Sequence, residues 1–162
     1  MLEGLGERAI STLGVIEGFY GRAWSRTRRL EMLPWMAALE LDAYLYAPKS
    51  DPWLRRRWRD RSPPEHVAML QEVSAEASSA DLEFHLGLSP FELYRAYDSS
   101  ARVALRDVLR RLEDLGTAGI CILFDDMPGD IDSLARRQAE ILIDAHDCLD
   151  KPLLRFCPTY YS

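Results

Sequence analysis

Two adjacent carboxylates, Asp125 and Asp126, stand directly after an apolar run at residues 120–124 (ICILF). Such a run predicts a strand that is buried on both faces. In parallel α/β proteins the catalytic groups lie at the carboxyl ends of the strands, so two acids at this point predict general acid–base chemistry. The alternative is that both residues only form the following turn or cap the next helix, because Asp is common in both places.

The elements that would position these acids alternate along the chain. Short apolar runs predict strands, and patterns of helical period lie between them. The predicted strands are 13–16, 43–47, 82–88, 120–124 and 153–157, and the predicted helices are 25–41, 65–80, 103–115 and 132–149. This alternation indicates an α/β protein with a parallel sheet and helical crossovers.

Two architectures fit five strands and four helices, namely an open doubly wound sheet and an incomplete (β/α)8 TIM barrel. A complete barrel has eight strands and typically about 250 residues. The chain has 162 residues and is too short to hold one. Within the predicted helices, the spacing places several apolar side chains on the buried face, among them Trp35 and Leu39 in the first helix and Val103 in the third.

Composition excludes several classes of function. The chain is 48% apolar and 28% charged, which is typical of a folded globular protein. A net charge of −6 argues against nucleic acid as a partner, and no apolar run approaches the roughly 20 residues of a membrane span. Residues 1–13 lack the pattern of a signal peptide, so we expect a cytoplasmic protein. No phosphate-binding glycine loop and no metal-ligand spacing is present, so we expect neither cofactor nor metal.

Polar groups follow each predicted strand and would therefore meet at one rim of the sheet. This convergence is more informative than any single residue. The residues are Glu17, Gly18 and Tyr20 after the first strand, Lys49 after the second, Ser89 after the third, Asp125 and Asp126 after the fourth, and Thr159, Tyr160 and Tyr161 after the fifth.

Four motifs at these strand ends carry a family resemblance. They are GVIEGFYGR at 14–22, YLYAPK at 44–49, LFDD at 123–126 and FCPT at 156–159. In this order they resemble the catalytic domain of glycoside hydrolase family 84, the O-GlcNAcase and bacterial hyaluronidase-like β-N-acetylglucosaminidases. The resemblance spans residues 13–161, so we expect a lead segment at 1–12 and the N-terminal portion of a TIM-barrel catalytic domain at 13–162.

The resemblance implies hydrolysis of β-linked N-acetylglucosamine with retention of configuration, in which the 2-acetamido oxygen of the sugar is the nucleophile. Asp125 would orient the acetamido N–H, and Asp126 would be the general acid and then the general base. This division is physically reasonable because neighbouring acids repel, so one stays ionised while the other keeps its proton.

The resemblance also implies a set of substrate-binding residues. Gly18 and Lys49 would contact sugar hydroxyls, Tyr161 would hydrogen-bond the acetamido oxygen, and Tyr20 joins them at the first strand end. For Lys49, the residue type alone would favour a solvated lysine. The partner would be a β-linked N-acetylglucosamine glycan or glycoprotein.

The chain departs from the family pattern in two ways. Ala23, Ser50 and Tyr160 stand where the family usually has proline, an acid and glutamate, which affects local loop geometry. Family members also continue through three more strands. We therefore expect a fragment or shortened paralogue with little or no activity alone. Its open sheet edges would favour self-association or a complementing C-terminal half.

Two alternatives are an inactive N-acetylglucosamine-binding module and a protein-interaction module. A related possibility is the basic, aromatic segment WLRRRWR at residues 53–59, since such stretches can bind phosphates or single strands. The flanking acids Asp51 and Asp60 favour a solvated surface for this segment instead.

Overall fold

The computed structural model of the chain describes residues 12–150 and 154–160. The strands are β1 (Gly14–Glu17), β2 (Ala43–Tyr46), β3 (Glu83–Leu88), β4 (Gly119–Leu123) and β5 (Leu154–Cys157). The α-helices are α1 (Arg26–Ala38), α2 (Pro64–Ser79), α3 (Ser99–Glu113) and α4 (Leu134–Cys148), and a short 3-10 helix covers Leu93–Ala96. Across this part of the chain, every helix is too short or too polar to cross a lipid bilayer.

The sheet is parallel, and its strand order is β1-β2-β3-β4-β5. A doubly wound sheet would reverse its order and carry helices on both faces. Here the order never reverses, so right-handed crossovers place all four helices on one face. The expected incomplete TIM barrel is therefore confirmed. Within the described residues, β1 and β5 each have one neighbouring strand.

Alternate residues of each strand face the helices and form the main core. They are large and fully shielded from solvent, as period-two alternation requires. The sheet contributes Tyr44, Tyr46, Phe84, Leu86, Leu88, Ile120, Ile122 and Phe124, and the helices contribute Leu33, Met36, Leu70, Val73, Leu105, Leu109 and Ile141. The burial of β4 on both faces, expected from its apolar run, is confirmed.

The opposite face of the sheet, which is the inside of the incomplete barrel, carries smaller residues. Ala47, Cys121 and Leu123 form a second buried cluster there. A Cβ atom on Gly87 would lie 2.5 Å from the Ala47 Cβ atom and 2.9 Å from Leu123 Cδ1. The close packing of the inner face at this point therefore depends on the absence of a side chain at residue 87.

The helix faces differ from the prediction at three positions. Trp35, Leu39 and Val103 are 67%, 68% and 68% exposed, although their spacing suggested burial. The physical reason is that a helix packed on one sheet buries a narrow stripe, which in α1 is centred on Leu33 and Met36. The start of α1 follows the prediction, since the Ser25 hydroxyl accepts from the Arg28 backbone N–H as an N-cap.

His85 lies on the inner face beside a cavity of about 330 Å³ at the amino end of the strands. It is 3% exposed, and its Nε2 atom is 3.1 Å from Arg155 Nη1 and 3.1 Å from Glu83 Oε2. Burial, together with the charge of Arg155, lowers the pKa of the His85 imidazole. The native state therefore favours the neutral ring.

The free energy of unfolding should therefore fall as the pH is lowered from 7 towards 5. A histidine whose pKa is lower in the folded state contributes stability above its unfolded value of about 6.5 and loses it below. The slope of the free energy of unfolding against pH that one such group causes is at most about 1.4 kcal/mol per pH unit. Urea unfolding at several pH values should show this slope reduced in His85→Leu and retained in His146→Leu, whose side chain is 61% exposed. Equal slopes in all three proteins would contradict the prediction.

Candidate active site

The carboxyl end of β4 is anchored by the end of β5 and the residues that follow it. The Phe124 backbone N–H donates to the Cys157 carbonyl at 2.8 Å, and the Thr159 hydroxyl donates to the Phe124 carbonyl at 2.8 Å. Gln138 of α4 donates through Nε2 to the same Thr159 hydroxyl at 2.6 Å. Strand β5 and helix α4 together fix the backbone from which Asp125 and Asp126 project.

Lys49 joins the end of β2 to both acids. Its Nζ atom lies 2.6 Å from Asp125 Oδ2 and 3.4 Å from Asp126 Oδ2, and its side chain is 4% exposed. This lysine is thus buried and paired rather than solvated. An ammonium between two carboxylates offsets their mutual repulsion and draws them towards one point.

Gly18 lies beside Lys49 because the segment that follows β1 and the segment that follows β2 are hydrogen-bonded to each other. The Ala47 N–H donates to the Glu17 carbonyl at 3.2 Å, and the Lys49 N–H donates to the Phe19 carbonyl at 3.3 Å. These two bonds bracket Gly18. The structure therefore brings Gly18, Lys49 and the two acids to the same rim.

The two acids have different surroundings. Asp125 has a side chain that is 26% exposed, and its Oδ1 atom is buried with no hydrogen-bond partner among the described residues. Asp126 has a side chain that is 42% exposed and a backbone φ of +58°. Asp125 therefore offers a shielded acceptor to an N–H group, whereas Asp126 can exchange protons with solvent or a bound oxygen.

Tyr20 reaches this rim through an arginine that the sequence interpretation assigned to a solvated segment. Arg55 Nη2 donates to the Tyr20 hydroxyl at 3.4 Å and to the Asp126 carbonyl at 3.3 Å. Arg55 is 7% exposed and Trp58 is 2% exposed, so segment 53–59 is partly buried. One feature of the sequence could have pointed to Arg55: it lies in the loop that follows the second strand, and site residues gather in such loops.

Glu17 lies away from the rim and faces the helices, which corrects the expectation from sequence. It is completely buried, and it accepts from Arg29 Nε and Nη2, each at 2.9 Å, and from the Tyr44 hydroxyl. Burial and this contact raise the pKa of the Tyr44 phenol. Glu17 therefore holds α1 to the sheet.

Ser89 and Tyr161 were also expected at the rim. Ser89 is 4% exposed, and its N–H donates to the Leu54 carbonyl at 2.8 Å, which ties the loop after β2 to the end of β3. Tyr161 lies outside the described residues. Within residues 12–150 and 154–160, no three His, Cys, Asp or Glu side chains cluster as metal ligands would.

Comparison with known proteins assigns this arrangement to a family. The sequence profile of the beta-N-acetylglucosaminidase family matches residues 13–162. Protein O-GlcNAcase from Rattus norvegicus and from Mus musculus are each 32% identical to the chain over 158 residues, covering 91% of it. The chain spans 17% of the length of these relatives.

Among solved structures, a mutant of the O-GlcNAc hydrolase from Thermobaculum terrenum superposes with a TM-score of 0.84 at 30% identity. The match covers 93% of this chain and 35% of that one. The profile covers nearly the whole chain, and the strand ends that bear its motifs meet at one rim. The chain therefore belongs to the beta-N-acetylglucosaminidase family, the glycoside hydrolases of family 84.

Proposed function

We propose that this chain carries the catalytic acids of a retaining β-N-acetylglucosaminidase that uses the 2-acetamido group of its substrate as the nucleophile. The observation that carries the proposal is the environment of the two carboxylate oxygens of Asp125. One carboxylate oxygen is bound by buried Lys49, and the other is buried without a partner among the described residues. A shielded, negatively charged acceptor suits an amide N–H, which is the group that the acetamido substituent presents.

The reaction would run in two steps. The acetamido oxygen attacks the anomeric carbon, the bond from that carbon to the leaving oxygen breaks, and Asp126 donates a proton to that oxygen. Asp125 holds the acetamido N–H and stabilises the positive charge that develops on the oxazoline. Asp126 then removes a proton from water, which opens the oxazoline and restores the acetamido group with the original configuration. This pathway is an exception to the usual scheme of a carboxylate nucleophile.

The remaining candidate residues would bind the sugar. Lys49 and Gly18 would contact hydroxyls, Tyr20 would flank the ring, and Tyr161 would donate to the acetamido oxygen. Because the relatives are named for O-GlcNAc, we propose N-acetylglucosamine linked to a protein hydroxyl as the substrate class.

Low turnover by the chain alone also belongs to the proposal. The described strands would cover a sugar at the rim on one side only. In that part of the chain, β1 and β5 each have one unpaired edge. Catalysis of this kind benefits from a closed site that excludes water. Further polypeptide paired with those edges would supply the other wall. The open edges also support the second candidate function, a module that binds the sugar without cleaving it.

Calorimetry with the thiazoline derivative of N-acetylglucosamine tests the proposed site, because its ring nitrogen stands where the acetamido nitrogen would be and, in its protonated form, donates to Asp125. We expect binding to the wild-type chain. Asp125→Asn should weaken it by about 10- to 150-fold, since a hydrogen bond to a charged group contributes about 1.5–3 kcal/mol. Asp130→Asn is the matched control, because Asp130 lies in the same loop between β4 and α4 but pairs with Arg95.

Absence of thiazoline binding, or equal binding by all three proteins, would contradict the proposal. Binding combined with no turnover of any aryl β-N-acetylglucosaminide would favour the non-hydrolytic module.

A further inference from the structure

We propose that Arg55 is a positioning residue for Asp126, a role that rests on the proposed acid–base function of that aspartate. Arg55 does not reach either carboxylate. It acts on the backbone of Asp126, through the hydrogen bond of 3.3 Å from its Nη2 atom to the Asp126 carbonyl.

The guanidinium of Arg55 is itself held between two aromatic rings. Its central carbon lies 5.7 Å from the Tyr20 ring centroid and 5.5 Å from the Phe91 ring centroid, within the range of cation–π contacts. The same Nη2 atom donates to the Tyr20 hydroxyl at 3.4 Å. Arg55 thus joins the loops that follow β1, β2, β3 and β4.

The loop that carries Arg55 is held by hydrogen bonds to the buried side chain of Asp51. Asp51 accepts from the backbone N–H groups of Trp53 and Leu54 at 2.9 Å and 3.3 Å, and from the Tyr46 hydroxyl at 2.8 Å. The hydrogen bond of His66 and the bonds from Tyr46 and Leu54 lower the pKa of Asp51 despite the opposing effect of its burial. The carboxylate is therefore the favoured form and keeps accepting these bonds near neutral pH.

Asp126 needs support from outside because its own conformation is unfavourable. A φ of +58° places it in the left-handed region, where a residue other than glycine is strained by roughly 1–3 kcal/mol. Its side chain is 42% exposed, and its carboxylate lies 3.4 Å from Lys49 Nζ. The direction of the carboxylate therefore depends on the backbone as well as on Lys49, and Arg55 holds the carbonyl of that backbone.

The dependence of kcat/KM on the leaving group distinguishes this positioning role from simple anchoring of the loop. A 2,4-dinitrophenolate leaves without a proton, whereas a phenolate, which is about as basic as a tyrosine side chain, needs the help of a general acid. Arg55→Met should lower kcat/KM on phenyl β-N-acetylglucosaminide by about 10- to 100-fold, as expected for a displaced catalytic group. On the dinitrophenyl substrate the same variant should stay within about threefold of wild type.

Two variants serve as comparisons. Arg55→Lys retains a cationic donor and should recover part of the lost rate. Arg56→Met is the matched control, because Arg56 is exposed and lies 4.7 Å from the Phe91 centroid, whereas the bond to the Asp126 carbonyl comes from Arg55. It should behave as wild type on both substrates.

An equal loss on both substrates, together with a lower Tm, would overturn the proposal and leave Arg55 as a structural anchor. If Asp126→Asn itself shows no dependence on the leaving group, the proposed function fails instead. If no turnover is measurable, the ¹³C resonance of the Asp126 carbonyl decides. It should shift or broaden in Arg55→Met and stay in place in Arg56→Met, and an unchanged resonance in both variants would overturn the proposal.

Discussion

On 2,4-dinitrophenyl β-N-acetylglucosaminide, Asp125→Asn should lower kcat/KM by about 10²–10³-fold, the usual cost of losing one preorganised group at a developing charge. Asp126→Asn should change the same parameter by less than about tenfold, because this leaving group departs without protonation. The activated substrate is chosen because we expect slow turnover from the chain alone. Initial rates from dinitrophenolate absorbance give kcat/KM directly.

The same two variants should reverse their order of importance when the leaving group is poor. On phenyl β-N-acetylglucosaminide, Asp126→Asn should lose about 10²–10⁴-fold, the typical contribution of general acid catalysis. Asp130→Asn should match wild type on both substrates. If the effects of Asp125→Asn and Asp126→Asn were interchanged, the roles that we propose for the two acids would be interchanged as well.

Replacement of Glu17 by glutamine should lower the free energy of unfolding by about 3–5 kcal/mol, as is typical when one partner of a buried ion pair is removed. Glutamine has nearly the shape of glutamate, but it has no charge to balance Arg29, which is 5% exposed. Its amide NH₂ would also face the donors of Arg29 and Tyr44. Urea unfolding monitored by circular dichroism measures the change.

The control for Glu17→Gln is Glu31→Gln in the same region. Glu31 pairs with Arg28 at 3.5 Å, and their side chains are 58% and 57% exposed, so its loss should cost less than about 1 kcal/mol. A cost below about 1 kcal/mol for Glu17→Gln would show that the buried pair adds no net stability. Thiazoline binding by folded Glu17→Gln should persist, because Glu17 faces the helices and not the sugar.

Glu17 also shows where sequence reasoning is least exact. The predicted first strand ended at residue 16, which put Glu17 past the strand and at the rim. In the structure Glu17 is the last residue of β1 and pairs with Tyr46, so its side chain points to the helix-facing side. A shift of one residue moves a side chain to the opposite face of a sheet, and apolar patterns seldom fix strand ends that closely.

Arg55 shows a second limit. The sequence around it has three arginines in a row, which is typical of a solvated surface. Burial of such a side chain depends on rings from other loops, here Tyr20 and Phe91, and no local pattern records those contacts.

By itself the sequence determined the order of strands and helices, the apolar run of β4, and the positions of Lys49, Asp125 and Asp126 at the strand ends. These features depend on periodicity and on short motifs, which are local properties of the chain. Only the tertiary structure decided that the strands follow one another without reversal, and that Lys49 lies between two acids some 76 residues further along the chain. The reason is that sheet order and ion pairing depend on distances between remote segments, and those distances are set when the whole core packs.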